Sequence, residues 1–224
     1  MLMAFPEKIL MPVNNDKTFV FLDIDGVFNS AVYQAKVSKF EKENGMKIPV
    51  LHHSFDPIAV ERFNKVMREV GDQCYLVISS SWRTDDNLSE YWKAVGFERM
   101  YDATTPYCPG TSRGDEIRMF IDKYDVSENN YLVIDDDLDM GDNCLFYHWY
   151  RVDPRFGLSE TFAEELICRI SMGYAEYDDM EDDIQSFFRN TYMHREYRTC
   201  RALAKKWLGI DLGEAEDEMP LEHF

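Results

Sequence analysis

The chain has 224 residues and carries 24 Lys and Arg against 42 Asp and Glu, a formal charge of −18. So acidic a surface excludes a general, charge-driven binder of nucleic-acid backbones, which needs clustered cations. With 45% hydrophobic, 14% aromatic and 29% charged residues the chain has ample material for a core, which excludes disorder throughout, and its length suits one domain plus an appendage.

The first apolar run, Thr18-Phe19-Val20-Phe21-Leu22, suits a strand buried on both faces and stops at Asp23. A polar stretch from about Ser30 to Ser54 follows. Asp56-Pro57 then opens a helix, Asp as N-cap and Pro at the first helical position. Val60, Phe63, Val66, Met67 and Val70 give it one apolar face, and Gly71 ends it. A second strand, Tyr75 to Ile78, runs into Ser79-Ser80-Ser81. A helix over Asn87 to Val95, a loop from Pro106 to Gly110 and a helix with Ile117, Phe120 and Ile121 on its apolar face come next. The third strand, Tyr131 to Ile134, runs into Asp135-Asp136-Asp137. Leu145 to Val152 reads as one more strand, and Ser159 caps a helix through about Ile170.

Strands alternating with helices indicate βαβ units and a mostly parallel sheet. Three strands end in polar clusters, and in such sheets ligands bind beyond the carboxyl ends, so the clusters can converge on one crevice. The last fifty residues differ. An acidic run over 176–183 precedes a helix expected from about Ile184 to Leu208 with Arg189, Arg195, Arg198, Arg201, Lys205 and Lys206, and the tail after Gly209 is acidic again. That basic helix reads first as internal or intersubunit ion pairing, a route to an oligomer, and second as a contact for a substrate backbone.

Cys74, Cys108, Cys144, Cys168 and Cys200 are irregularly spaced and odd in number, without a C-x-x-C pair. Reduced thiols of a cytoplasmic protein are expected rather than a disulfide framework or a thiolate zinc site. The N-terminal stretch has no basic flank with a long apolar run, and no segment approaches the ~18 apolar residues of a membrane span.

Asp23 and Asp25 stand two residues apart at a strand end, with Gly26 letting the chain turn. Two acids so close invite a metal ion or one retained proton. An Asx turn with a helix cap would explain that pair alone, but not the second cluster at Asp135 to Asp137. Oxygen ligands without His or Cys favour a hard ion, and Mg²⁺ suits a site of a few carboxylates plus a substrate phosphate. His52, His53 and His148 show no ligand spacing and read as surface or packed residues.

Asp23-Ile24-Asp25-Gly26-Val27, Leu76-Val77-Ile78-Ser79, Arg113 and Val133-Ile134-Asp135-Asp136, in that order, resemble the four motifs of the haloacid dehalogenase (HAD) superfamily of phosphotransferases, over roughly residues 17 to 155. Ser79-Ser80-Ser81-Trp82-Arg83 and Thr111 to Ile117 look like the HAD domains of nucleic-acid-repair proteins and their phage relatives. The resemblance implies an α/β, HAD-like Rossmannoid three-layer sandwich, expected over 1–172, with at most a small cap in the 28–55 insert, and the charge pattern adds a helical C-terminal extension over 173–224 of acidic linker, basic helix and acidic tail. It implies Asp23 as nucleophile, Asp25 as general acid and then base, Ser79 and Arg113 on the phosphoryl oxygens, and Mg²⁺ held by Asp23, Asp25, Asp135 and Asp136.

Gly26, Ser80 and Arg83 are expected to contact substrate. Ser80 remains an alternative to Ser79, and an ion pair of Arg83 with Asp85 or Asp86 an alternative to its phosphate contact. Asp137 is expected to cap the chain there or to support the ligands rather than to be one. Tyr33, Phe40, Trp82 and Trp92 lie where they can stack on a base, although such aromatics more often pack in a core. The expected activity is phosphomonoester hydrolysis on a nucleotide or nucleic-acid end, of 3′-phosphatase type. A 5′-nucleotidase or small-metabolite phosphatase, and a silent phosphate-binding module, are the alternatives. No membrane partner and no stable non-specific nucleic-acid binding are expected.

Overall fold

In the computed structural model, which describes residues 13–14, 16–137, 145 and 148–173, the first apolar run forms β1 (Thr18–Leu22). It lies at the centre of a five-stranded sheet of order β3-β2-β1-β4-β5, completed by β2 (Cys74–Ile78), β3 (Ala103–Thr104), β4 (Tyr131–Asp135) and β5 (Trp149–Arg151). Every pairing is parallel. Parallel neighbours need long crossovers, and helices supply them, so both sheet faces are covered and the strands read as unbroken apolar runs.

Alternate residues of β1 serve different layers. Val20 and Leu22 join the core beneath α3 (Pro57–Val70), α4 (Leu88–Ala94) and α6 (Glu160–Met172). Phe19 and Phe21 point the other way, into a smaller core with Ile117, Phe120 and Ile121 of α5 (Arg113–Tyr124). The result is the expected three-layer α/β sandwich. Asp56 caps α3 by accepting from the Ile58 N–H at 2.9 Å, with Pro57 in the first turn. Ser159 caps α6 through the Phe162 N–H at 3.1 Å.

The polar insert after β1 is helical, with α1 (Ala31–Asn44) and α2 (Val50–Ser54). Val37 is the buried residue of α1, and α2 has none. The two helices are tied by polar contacts, the Tyr33 hydroxyl donating to the His52 carbonyl at 2.5 Å and the Gln34 amide to that of His53. The insert is therefore small, as its length suggests.

The last strand is shorter than the expected Leu145 to Val152. Its register pairs Val133 with Trp149 and Asp135 with Arg151. Just before it, His148 is buried with its imidazole 3.1 Å from the Tyr131 carbonyl and against that ring, which takes it out of the ladder. The acidic run, the basic helix and the acidic tail expected after Gly173 lie outside the described residues. Among the described residues, no helix is long and apolar enough to cross a membrane.

Candidate active site

The strand register sets the site. Leu22 pairs with Ile78 on one side and Ile134 on the other, so the next residues, Asp23, Ser79 and Asp135, come side by side. Two hydrogen bonds extend the ladder past β1 and β2, from the Asp23 N–H to the Ile134 carbonyl at 2.9 Å and from the Ser79 N–H to the Leu22 carbonyl at 3.0 Å. The chain leaves β1 toward β2 and β3, then crosses back to β4 and β5. The strand order therefore reverses between β1 and β4, where a sheet of this kind opens a crevice.

Asp23, Asp135 and Asp136 each present a carboxylate oxygen within 4.8 Å of the others. Arg113, the first residue of α5, reaches between two of them. Its Nη1 lies 2.6 Å from Asp23 Oδ1 and 2.8 Å from Asp135 Oδ2. Burial pushes the Asp23 carboxyl up, against the pull of Arg113 and a hydrogen bond from Ser80. Asp135, wholly buried, is pushed up to about 7 by burial and then by the Asp23 charge. Asp136 is raised for the same two reasons. Burial alone would make Arg113 easier to deprotonate, but the two carboxylates outweigh it and keep the guanidinium charged. Three carboxylates face one guanidinium, so the cluster is short of positive charge. An all-oxygen donor set with that deficit fits a hard divalent cation.

The supporting contacts are local. Asp137 donates its backbone N–H to Asp135 Oδ1 at 2.9 Å. Ser112 caps α5 through the Asp115 N–H at 3.1 Å, which fixes the turn from which Arg113 projects. Gly26 has φ +69, and a Cβ there would lie 2.1 Å from the Asp136 carboxyl carbon. The missing side chain thus makes room for Asp136, a reason for this glycine that the sequence does not reveal.

Asp25 differs from Asp23 in being exposed. Its Oδ1 accepts from Asn29 Nδ2 at 2.6 Å and its Oδ2 from the Trp82 indole N–H at 3.1 Å. Asn29 also accepts the Gly26 N–H at 2.6 Å. Sequence reasoning passed over Asn29, although a short amide four residues after an acid in a turn is a recognisable signal.

Ser79 and Ser80 are both fully buried but differently engaged. Ser80 Oγ accepts from the Trp82 N–H at 3.4 Å and bonds Asp23. Ser79 Oγ has no hydrogen-bond partner among the described residues. Arg83 is placed differently from the phosphate contact expected of it, and differently from a surface pair with Asp85 or Asp86. It is buried, donating to the carbonyls of Ser79 at 2.5 Å, Ser80 at 2.6 Å and Pro106 at 3.2 Å, and it forms an ion pair with Glu116. Glu116 in turn accepts the Cys108 N–H at 2.7 Å. The guanidinium therefore holds the strand-end serines from behind.

The other aromatic candidates divide as well. Trp92 is fully buried and stacked on Phe97 at 3.7 Å, Tyr33 is hydrogen-bonded within the insert, and Phe40 is 45% exposed on α1.

A search of curated proteins finds no match. A solved structure described as a haloacid dehalogenase-like hydrolase family protein from Streptococcus pneumoniae is 15% identical, over 57% of this chain and 79% of that one, with a TM-score of 0.34. A likeness that distant carries no argument. The family model described as the HAD domain in Swiss Army Knife RNA repair proteins matches residues 19–163, from β1 into the first turn of α6, and so takes in all three strand ends and Arg113. On that match the chain belongs to the HAD superfamily, within the family of HAD domains found in Swiss Army Knife RNA repair proteins.

Proposed function

We propose that this HAD-superfamily hydrolase domain is a Mg²⁺-dependent phosphomonoesterase that works through an aspartyl-phosphate on Asp23 and acts on a phosphorylated nucleotide or nucleic-acid end, of 3′-phosphatase type. The observation that supports it most is the buried Asp23–Arg113–Asp135 bridge at the switch point of the sheet. An ion pair that served stability alone would need one carboxylate, and here two share the guanidinium while a third stands within 4.8 Å.

In this reading Asp23 attacks phosphorus, the ester P–O bond breaks, and Asp25 gives its proton to the departing oxygen. Asp25 then takes a proton from water, the water oxygen attacks phosphorus, and the Asp23–phosphorus bond breaks to release inorganic phosphate. Arg113 offsets charge on the nucleophile and on the equatorial phosphoryl oxygens. The Ser79 hydroxyl, without a partner among the described residues, donates to one of those oxygens, and Arg83 fixes the backbone that carries it. Asp23, Asp135 and Asp136, with the Asp25 carbonyl, would hold Mg²⁺, which when bound supplies positive charge between the anionic nucleophile and the phosphate. The nucleic-acid end is favoured by the RNA-repair context of the family and by the small insert, which leaves little to enclose a metabolite.

The test is phosphate release with Mg²⁺ across 3′- and 5′-phosphorylated oligonucleotides, mononucleotides and phosphosugars, with Asp23→Asn as the blank. Release confined to 3′-phosphorylated ends, lost in Asp23→Asn while the fold persists, is the expected outcome. A preference for mononucleotides would make it a nucleotidase. Full activity in Asp23→Asn would remove the nucleophile assignment.

A further inference from the structure

Asp25 is an exposed carboxylate with both oxygens engaged by protein donors, the Asn29 amide on one and the Trp82 indole on the other. Water would satisfy an exposed carboxylate equally well, and holding it in one orientation costs side-chain entropy. The two donors are themselves fixed. Asn29 accepts the Gly26 N–H on its oxygen, so exchanging its oxygen and nitrogen would set donor against donor. Trp82 lies in the 3-10 turn Ser81–Thr84 that follows the strand-end serines. Its indole meets the ring of Phe55 edge-on at 5.4 Å and that of Tyr91 at 6.3 Å. Phe55, at the end of the insert, is 2% exposed and packs on Phe28 and Phe97. The indole is thus held by packing, and its nitrogen can only donate. A local turn motif would account for Asn29, which is four residues from Asp25, but not for Trp82, which is 57 residues away.

We propose that Trp82 is a positioning residue for the proton transfers of this site: its indole N–H and the Asn29 amide, on opposite oxygens, fix the plane of the Asp25 carboxylate that serves the leaving group. The inference rests on the reading of Asp25 as proton donor given above. Proton transfer needs heavy atoms within hydrogen-bond reach in a productive orientation, and small misplacements are costly. Through Phe55 and Trp82 the same contacts join the α1–α2 insert to Asp25, so this carboxylate is oriented by a distant segment of the chain as well as by its own turn.

The test compares kcat/KM of the full chain on p-nitrophenyl phosphate, whose leaving group departs without a proton, and on the alkyl phosphomonoester turned over best in the panel above. Trp82→Phe keeps an aromatic ring against Phe55 and Tyr91 and removes the N–H donor together with the pyrrole part of the indole, a packing loss that falls equally on both esters. It is expected to lower kcat/KM on the alkyl ester about 10- to 100-fold further than on the aryl ester, part of the whole general-acid effect. Equal losses on both esters would mean a merely structural role, and no loss on either would mean that the indole bond is idle. Either result overturns the proposal.

Asp25→Asn is measured in parallel. If it produces no leaving-group dependence, the proton-donor reading fails and the positioning role falls with it. If it does so while Trp82→Phe does not, the failure belongs to Trp82 alone. Asn29→Ala withdraws the amide donor from Asp25, and the acceptor from the Gly26 N–H, without placing a second carboxylate beside it. It provides the same ratio should Trp82→Phe not fold, and an unchanged ratio there overturns the clamp.

Discussion

Asp135 carries a heavy electrostatic load, because it is wholly buried beside another acid and shares its guanidinium with that acid. Its carboxyl, ordinarily titrating near 3.8, is pushed up to about 7. An acid whose native pKa is raised contributes stability that is fully present below its unfolded value and is lost as pH rises through its native one. The metal-free protein should therefore become less stable, through this group, as pH rises from about 4 to about 7. Divalent-ion binding has the opposite sign, since the ligands must be ionised and protons compete with the metal. Mg²⁺ should thus raise the thermal midpoint more at pH 8 than at pH 5.5, as read by calorimetry. A shift of equal size at both would mean that Asp135 is not a ligand.

At the scale of elements, the buried Arg83–Glu116 pair joins pieces that are far apart in sequence: the turn after β2, the loop before α5, and α5 itself. Each partner depends on the other, because removing one leaves a charge without compensation in a dry place, typically at a cost of about 3–5 kcal/mol. Glu116→Gln should lower unfolding stability by that order in urea titrations. It should also lower phosphate release, since α5 carries Arg113. A loss under about 1 kcal/mol would show the pair to be open to water. This pair marks the limit of what the sequence discloses. Asp23, Ser79 and Asp135 are legible because each ends an apolar run, and run and terminus are local patterns. Asp56 and Ser159 are legible as helix caps for the same reason. Arg83, after the serine run and next to Asp85 and Asp86, suggests a phosphate contact or else a local surface pair, whereas tertiary packing turns it inward to a glutamate 33 residues away. The indole contact with Asp25 was hidden likewise, and the shorter β5 reflects a packing choice by His148 that no periodicity records.

For the whole molecule, the dominant fact is a formal charge of −18 on a chain whose family is named for RNA repair. A polyanionic substrate of the kind proposed would meet a repulsive field, so its capture would rely on the phosphoryl group at the crevice and on local contacts. Salt screens that repulsion beyond a Debye length of about 10 Å at 0.1 M. Turnover of a 3′-phosphorylated oligonucleotide should therefore hold or rise as KCl goes from about 20 to about 150 mM, contrary to the steep fall of backbone binders. A steep fall in kcat/KM would instead implicate the basic stretch between Arg189 and Lys206 in holding the strand. The ladder hydrogen bonds that continue past β1 and β2 have a different kind of consequence. Because the Asp23 and Ser79 amides are locked between central strands, their protons can exchange with solvent only when the sheet itself opens, whereas the turn bearing Asp25 and Gly26 can open alone. On the roles proposed above, the nucleophile and the phosphate-binding hydroxyl would thus share the lifetime of the native state, while the proton-handling arm would keep a faster clock of its own.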